Sequence, residues 1–237
     1  MPDWRHFAED LAAARATQVL IGVLLAIQLG LGMLGGFDSV PDIYRSFGLS
    51  RTGVSEGRVW QLVTYGFLHG NWAHFALNAL ALLLLGPRLE RIGGVSLWWR
   101  LMLSGLIAGG GMYLLADRAA DQPLVGISGA VMAALLWITG VSPGSQLWLL
   151  RISGKSLGLG ILLASAVLTL TNPSLELPLL SDWGRAMGEH AGRLVFGVAH
   201  ACHLGGALAG WLGARWTLRP RVTLARLQRD RRRREGG

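Results

Sequence analysis

The chain has 237 residues, of which 51% are hydrophobic and 15% charged, and its formal net charge is +8. A mean hydropathy of +0.42, with 34 glycines and 10 tryptophans, excludes an ordinary soluble globular domain. The composition indicates a membrane protein.

Six stretches of the chain contain no Asp, Glu, Lys or Arg. Each approaches the roughly 20 residues with which a helix crosses about 30 Å of hydrocarbon, and the second stretch is the shortest. They cover residues 16–37, about 72–87, 101–116, 122–142, 156–175 and 194–214. We therefore expect an all-α membrane protein built as a six-transmembrane helical bundle.

Arginine and lysine are concentrated in alternate connections between these stretches. Three arginines lie between the second and third stretches, and Arg151 and Lys155 lie between the fourth and fifth. A basic tail follows the sixth stretch, whereas acidic and basic residues balance in the other connections. The positive-inside bias predicts that both termini are cytoplasmic and that the second, fourth and sixth spans enter the membrane from the outside.

These patterns divide the chain into a cytoplasmic N-terminal segment (1–15), a membrane domain (16–216) and a basic cytoplasmic tail (217–237). The first apolar run is too long for the core of a signal peptide, so we expect an uncleaved anchor. Because no targeting presequence is evident, the expected location is a bacterial inner membrane. The tail is expected to bind anionic lipid and not nucleic acid, since lipid is the commoner partner of such a juxtamembrane segment.

Few polar side chains other than Ser and Thr lie within the six stretches. His74 and Asn78 belong to the second, Ser128 to the fourth, and His200 and His203 to the sixth. All of them lie in the outer half of their spans. Three helices that enter from one side can therefore bring these groups together at one shallow depth, which favours a functional site over isolated packing residues.

Helical spacing supports this convergence. His74 and Asn78 are four residues apart and share one helix face. Both histidines of the sixth stretch share a face with Gly206 and Gly210, and such a Gly-x-x-x-Gly pair lets another helix approach closely. The fourth stretch repeats this small-residue spacing beside Ser128, so it is the expected partner.

The sequence resembles the rhomboid family of intramembrane serine proteases over about residues 55–215. GISG is similar to the Gly-x-Ser-Gly motif around the family's nucleophile, and HGNWAHFALN, which begins at His69, is similar to its second-helix motif. AHACHLGGALAG resembles the sixth-helix segment, in which the catalytic histidine precedes a glycine-rich run. The resemblance implies a rhomboid-type bundle with Ser128 as the nucleophile and His203, in preference to His200, as its base.

The resemblance also implies that the side chains of His74 and Asn78 and the backbone N–H of Ser128 stabilise the oxyanion. A serine hydroxyl needs a base to take its proton, and because the spans contain no acid, a Ser-His dyad is expected. The implied activity is endopeptidase cleavage of transmembrane segments in other membrane proteins, near the extracytoplasmic side. No cofactor and no metal are expected.

Some positions extend the resemblance and others depart from it. GPRLERIGG is similar to the end of the family's second helix, with Glu90 and Arg91 at its acidic and basic positions. Many rhomboids have Trp-Arg in the first external loop, where this chain has Trp60 and Gln61. Some have an aromatic residue at the position of Met132, where it stacks on the catalytic imidazole, so packing is expected to orient the histidine here.

Hydrolysis consumes water, which hydrocarbon excludes, so the site is expected to open to the outer aqueous side. The substrate helix has to unwind locally, which favours segments rich in Gly, Ala and other weak membrane-helix formers. The polar connection 172–193 is either a lid over the site that hinges with the fifth span or a passive loop.

Three other functions fit parts of the pattern. A channel or proton-coupled transporter also uses intramembrane histidines, but usually with buried acids or bases along a path. A metal site would use His74, His200, Cys202 and His203, yet Cys202 lies off their shared face and no His-Glu-x-x-His is present. A catalytically inactive rhomboid-like protein that binds membrane proteins in quality control is the main alternative, although Ser128 and His203 are both retained.

Overall fold

A computed structural model describes residues 4–116, 123–147, 152–191, 199–219 and 224–235, and it is predominantly helical. The helices of this described part are α1 (Trp4–Ala13), α2 (Arg15–Met33), α3 (Pro41–Phe47), α4 (Arg51–Ser55), α5 (Gln61–Thr64), α6 (Trp72–Ala116), α7 (Ser128–Val141), α8 (Gly154–Leu170), α9 (Leu180–Ala191), α10 (His200–Thr217) and α11 (Leu224–Glu235). Short 3-10 turns occur at Tyr65–Phe67 and Pro173–Leu175. Strands β1 (Gln146–Leu147) and β2 (Ile152–Ser153) pair antiparallel, with Gln146 opposite Ser153.

Each of the six predicted apolar stretches contains a helix. The segment α6 contains the second and the third stretches as two helical parts, which are separated by a break at Gly94, where φ is 74° and ψ is 165°, a conformation that favours glycine. By length and composition, α2 and α6 are apolar enough to cross a membrane, and α7 and α8 are shorter apolar helices. The helical bundle agrees with the prediction, while the number of crossings and the side of the termini stay predictions.

The Glu90 side chain joins α6 to the beginning of α2. Its carboxylate accepts hydrogen bonds from the N–H groups of Ala16 (3.2 Å) and Thr17 (2.7 Å) and from the Thr17 hydroxyl (2.6 Å). A carboxylate at a helix N-terminus satisfies free N–H groups and interacts favourably with the helix dipole. Arg91 forms a 3.0 Å ion pair with Asp10. Both charged residues therefore hold the N-terminal helices against α6.

Helices α7 and α8 differ in how deeply they are buried. On α7, residues 129–131 and 133–139 are buried, and Trp137 is 0% exposed, so the helix is covered on all sides. Helix α8 lies at the edge of the bundle, where Gly158 packs against Thr139 of α7. Its outer face carries the exposed side chains Leu159, Leu163, Val167 and Leu170. The core of the fold therefore lies between α6, α7 and α10.

Candidate active site

The segment that leads to Ser128 is held by the connection between α2 and α6. Leu124 pairs with Leu49 in an antiparallel bridge, with backbone hydrogen bonds of 3.0 and 2.8 Å. Two residues further on, the N–H of Gly126 donates to the carbonyl oxygen of Tyr65 at 2.9 Å. These bonds set the place at which α7 begins.

Ser128 is the first residue of α7 and is partly exposed. The N–H groups of a first helical turn have no acceptor within their own helix, and the helix dipole favours negative charge at this end. A carbonyl oxygen that gains negative charge beside Ser128 would therefore meet backbone donors.

The beginnings of α7 and α10 are in direct backbone contact. A Cβ atom on Gly206 would overlap the carbonyl oxygen of Gly129, and one on Gly210 would overlap that of Ala133. Because the residue numbers of the contacting positions increase together along both helices, α7 and α10 run in the same direction. This confirms the predicted pairing of the fourth and sixth stretches through their small residues.

His203 lies near the beginning of α10. The helix starts at His200, later than the sixth apolar stretch, whose residues 194–198 lie outside the described part of the chain. Gly129 is level with the turn of α10 that carries His203, because it packs against both Cys202 and Gly206. Ser128 and His203 therefore lie in adjacent first turns.

The Ser128 hydroxyl and the His203 ring are not hydrogen-bonded to each other in this conformation of the described residues. The ring of His203 is edge-on to that of His200, with 6.3 Å between the ring centroids. The fold thus brings the helix turns of the two residues together, and their pairing as a dyad stays a prediction.

His74 and Asn78 lie against the backbone just before Ser128. Helix α6 begins after Asn71, whose side-chain oxygen caps the helix by accepting from the N–H of His74 at 2.8 Å. A Cβ on Gly126 would lie 2.6 Å from Cε1 and 2.7 Å from Nε2 of His74, and 3.5 Å from Nδ2 of Asn78. Gly126 also has a φ of 109°, so both its conformation and its surroundings require glycine.

His69, the first histidine of the HGNWAHFALN segment, packs against the ring of His74. Its ring centroid lies 5.1 Å from that of His74 and 5.5 Å from that of Phe75, edge-on in both cases. The side chain is 0% exposed, and its ring nitrogens have no hydrogen-bond partner among the described residues. Burial, and secondarily the neighbouring His74, lowers the pKa of His69 to about 4, so the ring is neutral at pH 7.

Tyr65 is a part of this site that the sequence patterns did not indicate, and it lies against Cys202. Tyr65 is fully buried, its hydroxyl donates to the carbonyl oxygen of Leu106 at 2.9 Å, and it lies 3.6 Å from the sulfur of Cys202. Both side chains pack against Gly129. Tyr65 therefore links α6, α7 and α10 directly beneath Ser128. It lies between the apolar stretches, so a search for polar residues within those stretches could not find it.

The two departures from the family pattern have local structural roles. Gln61 is 0% exposed, its Nε2 donates to the carbonyl oxygen of Arg45 at 2.8 Å, and its Oε1 accepts from the N–H of Ser50 at 3.2 Å. Gln61 thus ties the end of α3 to the beginning of α4. Met132 is partly buried and packs against the core of the bundle.

The fold and this site define a helical membrane protein in which serine, histidine and asparagine side chains lie at the beginnings of three helices. The chain belongs to the rhomboid family, because the family model of the Rhomboid domain matches residues 56–220. The resemblance read from the sequence is thereby confirmed.

Two relatives in the family show how far the likeness extends. The chain is 33% identical to RHOMBOID-like protein 5 of Arabidopsis thaliana over 98 residues, which are 41% of this chain and 31% of the relative. It is 37% identical to Rhomboid-related protein 3 of Homo sapiens over 76 residues, which are 32% of this chain and 18% of the relative. The chain therefore spans less than a third of either relative.

Proposed function

We propose that this protein is an intramembrane serine endopeptidase that cleaves transmembrane segments of other membrane proteins near the extracytoplasmic side. The observation that carries the proposal is the backbone contact between α7 and α10, which puts Ser128 and His203 in adjacent first turns. His74 and Asn78 lie against Gly126, in the segment that leads to Ser128, and supply hydrogen-bond donors there.

In the proposed reaction, the Ser128 oxygen attacks the carbonyl carbon of the scissile peptide bond while His203 takes the hydroxyl proton. His74, Asn78 and the first-turn N–H groups of α7 stabilise the oxyanion that forms. His203 then gives its proton to the leaving amine, and an acyl-enzyme remains on Ser128. Water, activated by the same histidine, hydrolyses this ester and releases the second product.

The open geometry between Ser128 and His203 is compatible with this reaction. In free enzymes, hydrogen bonds between a nucleophile and its base are often long and tighten only when substrate is bound. Side-chain rotation is sufficient for such an adjustment when the two residues lie in adjacent turns.

The proposed membrane arrangement has six crossings, with both termini in the cytoplasm. The parallel course of α7 and α10 supports it, since two spans that enter from the same side run in the same direction. Substrate segments rich in Gly and Ala would unwind most readily at the site. A bacterial inner membrane remains the predicted location, although both relatives named above are eukaryotic.

Helix α11 supports the proposed role of the tail. It carries the run Arg231–Arg234, and its described side chains are exposed. Clustered arginines next to a membrane-spanning helix are attracted to anionic lipid headgroups, each by about 1 kcal/mol.

The second candidate is a catalytically inactive rhomboid that binds other membrane proteins. The observation that favours it is the missing hydrogen bond between Ser128 and His203 among the described residues. A test of nucleophile reactivity separates the two functions.

This test is covalent labelling of the purified protein with a fluorophosphonate, which reacts with activated serines. We expect the wild type and Ser104→Ala to be labelled and Ser128→Ala to remain unlabelled. Ser104 is the control because it is an accessible serine on an apolar helix, and its hydroxyl donates to the carbonyl oxygen of Leu101 in its own helix. Equal labelling of wild type and Ser128→Ala would remove Ser128 as the nucleophile. A wild type that neither reacts nor cleaves a panel of tagged single-span proteins would support the inactive alternative.

A further inference from the structure

One flank of α9 is attached to the end of α8. The Ser181 hydroxyl accepts from the N–H of Leu177 at 2.9 Å and donates to the carbonyl oxygen of Asn172 at 3.4 Å. A Cβ on Gly184 would overlap the carbonyl oxygen of Thr171, so the two backbones touch. Because these contacts join α9 to the residues directly after α8, the two helices are coupled mechanically.

A second flank of α9 is apolar and uncovered by the described residues. Leu180 and Trp183 lie three residues apart on one helix face and are 38% and 64% exposed, and Leu179, just before the helix, is 82% exposed. The remaining flank carries the exposed charges Asp182, Arg185 and Glu189, of which the first two form an ion pair. The helix therefore presents protein contacts, apolar side chains and charges on three separate sides.

The position of α9 relates these flanks to the bilayer. Helix α8 ends at Leu170, and its exposed side chains Leu163, Val167 and Leu170 form a lipid-facing row that leads to α9. The end of α8 lies on the same side of the bundle as the end of α6, since the Ser174 hydroxyl donates to the carbonyl oxygen of Ala116 at 3.4 Å. This is the side on which α7 begins. α9 is therefore located at the membrane boundary nearest the candidate site.

We propose that α9 is an interfacial helix that inserts Leu179, Leu180 and Trp183 into the lipid leaflet on the Ser128 side. A short helix with one apolar and one charged flank is typical of segments that lie in the membrane interface, and tryptophan is enriched there. Lipid is the occupant because α9 is attached to the end of α8, whose exposed apolar side chains face hydrocarbon in the proposed membrane arrangement. The charged flank faces water.

This placement gives the 172–193 connection a mechanical role. Its helix is held by the end of α8 on one side and by the leaflet on another, so a displacement of α8 has to move α9 through the lipid interface. The lipid interface thereby resists movement of the connection next to the candidate site. The inference depends on the membrane position of α8 and not on catalysis.

Nitroxide spin labels measure this position directly in vesicles of phosphatidylcholine and phosphatidylglycerol. Trp183→Cys and Arg185→Cys place a label on the apolar and on the charged flank, and Leu163→Cys provides a lipid-facing reference on α8. Cys202, the one native cysteine, is 0% exposed, and labelled wild type supplies the background. Oxygen concentrates in lipid, whereas a nickel chelate stays in water, so their relative effect on the label's relaxation reports its surroundings.

We expect oxygen to dominate at positions 163 and 183 and the nickel chelate to dominate at position 185. Dominance of nickel at 183, or protection of 183 from both reagents, would overturn the proposal, because the flank would then face water or protein. Dominance of nickel at 163 would instead show that α8 itself is outside the bilayer. A far-ultraviolet circular dichroism spectrum equal to that of the wild type verifies the fold of each variant.

Discussion

The α7–α10 pair and helix α8 differ in how they pack within the helical bundle. Lipid is as apolar as leucine, so burying apolar side chains drives helix association less in a bilayer than in water, and close packing has to replace it. The α7–α10 pair achieves close packing because glycines let backbone touch backbone over successive turns. Helix α8 contacts the bundle with one face, through Gly158, Leu157, Ile161 and Leu162, and its other face presents exposed leucines.

This difference assigns different tasks to the two regions. Backbone contacts leave no side chain that could rearrange, so the relative height of Ser128 and His203 is tightly set. Fewer contacts hold α8, so its displacement would disturb the candidate site less than a displacement of α7 or α10. We therefore expect substrate entry to involve α8 and α9 while α7 and α10 stay in place.

The largest difference between the two regions is expected from a pair of asparagines. Asn78 lies beside the segment leading to Ser128, whereas Asn172 caps the turn after α8 by accepting from the N–H of Ser174 at 3.0 Å. Loss of one oxyanion donor typically lowers kcat about 10²–10³-fold. Asn78→Ala should show this loss in cleavage of a single-span substrate in vesicles, and Asn172→Ala should change kcat only a few-fold. Comparable losses would mean that Asn78 has no special part in the chemistry.

A pair of leucines compares packing in the two regions. Leu136 on α7 is 3% exposed, and Leu163 on α8 is 55% exposed. Truncating a buried leucine leaves a cavity and costs about 2–5 kcal/mol, whereas an exposed position typically changes stability by about 0.5 kcal/mol or less. Leu136→Ala should therefore lower the free energy of unfolding in mixed micelles much more than Leu163→Ala. If the Leu163 variant is equally unstable, α8 is more tightly packed than its exposed side chains indicate.

A pair of glycines tests the backbone contact itself. A methyl group at Gly206 would overlap the carbonyl oxygen of Gly129, while one at Gly160 of α8 would meet nothing within 4 Å. Overpacking costs about 1–3 kcal/mol, whereas replacing glycine by alanine at an exposed helical position gains up to about 1 kcal/mol. We expect Gly206→Ala to lower Tm and Gly160→Ala to preserve or raise it. The opposite ranking would contradict the close approach of α7 and α10.

The smallest expected effect concerns His69, which is buried in the connection before α6, and it appears as a dependence of the free energy of unfolding on pH. His69 has a folded-state pKa of about 4 against an ordinary value of 6.5, so the unfolded chain binds a proton first as the pH falls. Its contribution to stability is complete above pH 6.5 and is lost between pH 6.5 and 4. Between pH 7 and 5 the free energy of unfolding should fall by on the order of 1 kcal/mol more in the wild type than in His69→Asn. Parallel pH profiles of the two proteins would show that His69 is solvated.

Much of the helical framework was predictable because it depends on local properties of the sequence. An apolar stretch in a bilayer has to form its backbone hydrogen bonds internally, so six such stretches predict helical segments, and each of them contains a helix among the described residues. Spacing of three and four residues also predicted that Gly206 and Gly210 face a partner helix. The start of α10 at His200 was not predictable from composition, since residues 194–199 are as apolar as the helix that follows.

The sequence by itself determined the apolar helices, the small-residue face and the kinds of chemical group available, because periodicity and hydropathy act within one segment. Only the tertiary structure decided that Gly126 lies against His74, that Tyr65 supports the start of α7, and that Gln61 closes the first connection. It also decided that Glu90 caps α2. These contacts join segments far apart in the chain, and their geometry depends on how the helices and loops pack together, which no local pattern encodes.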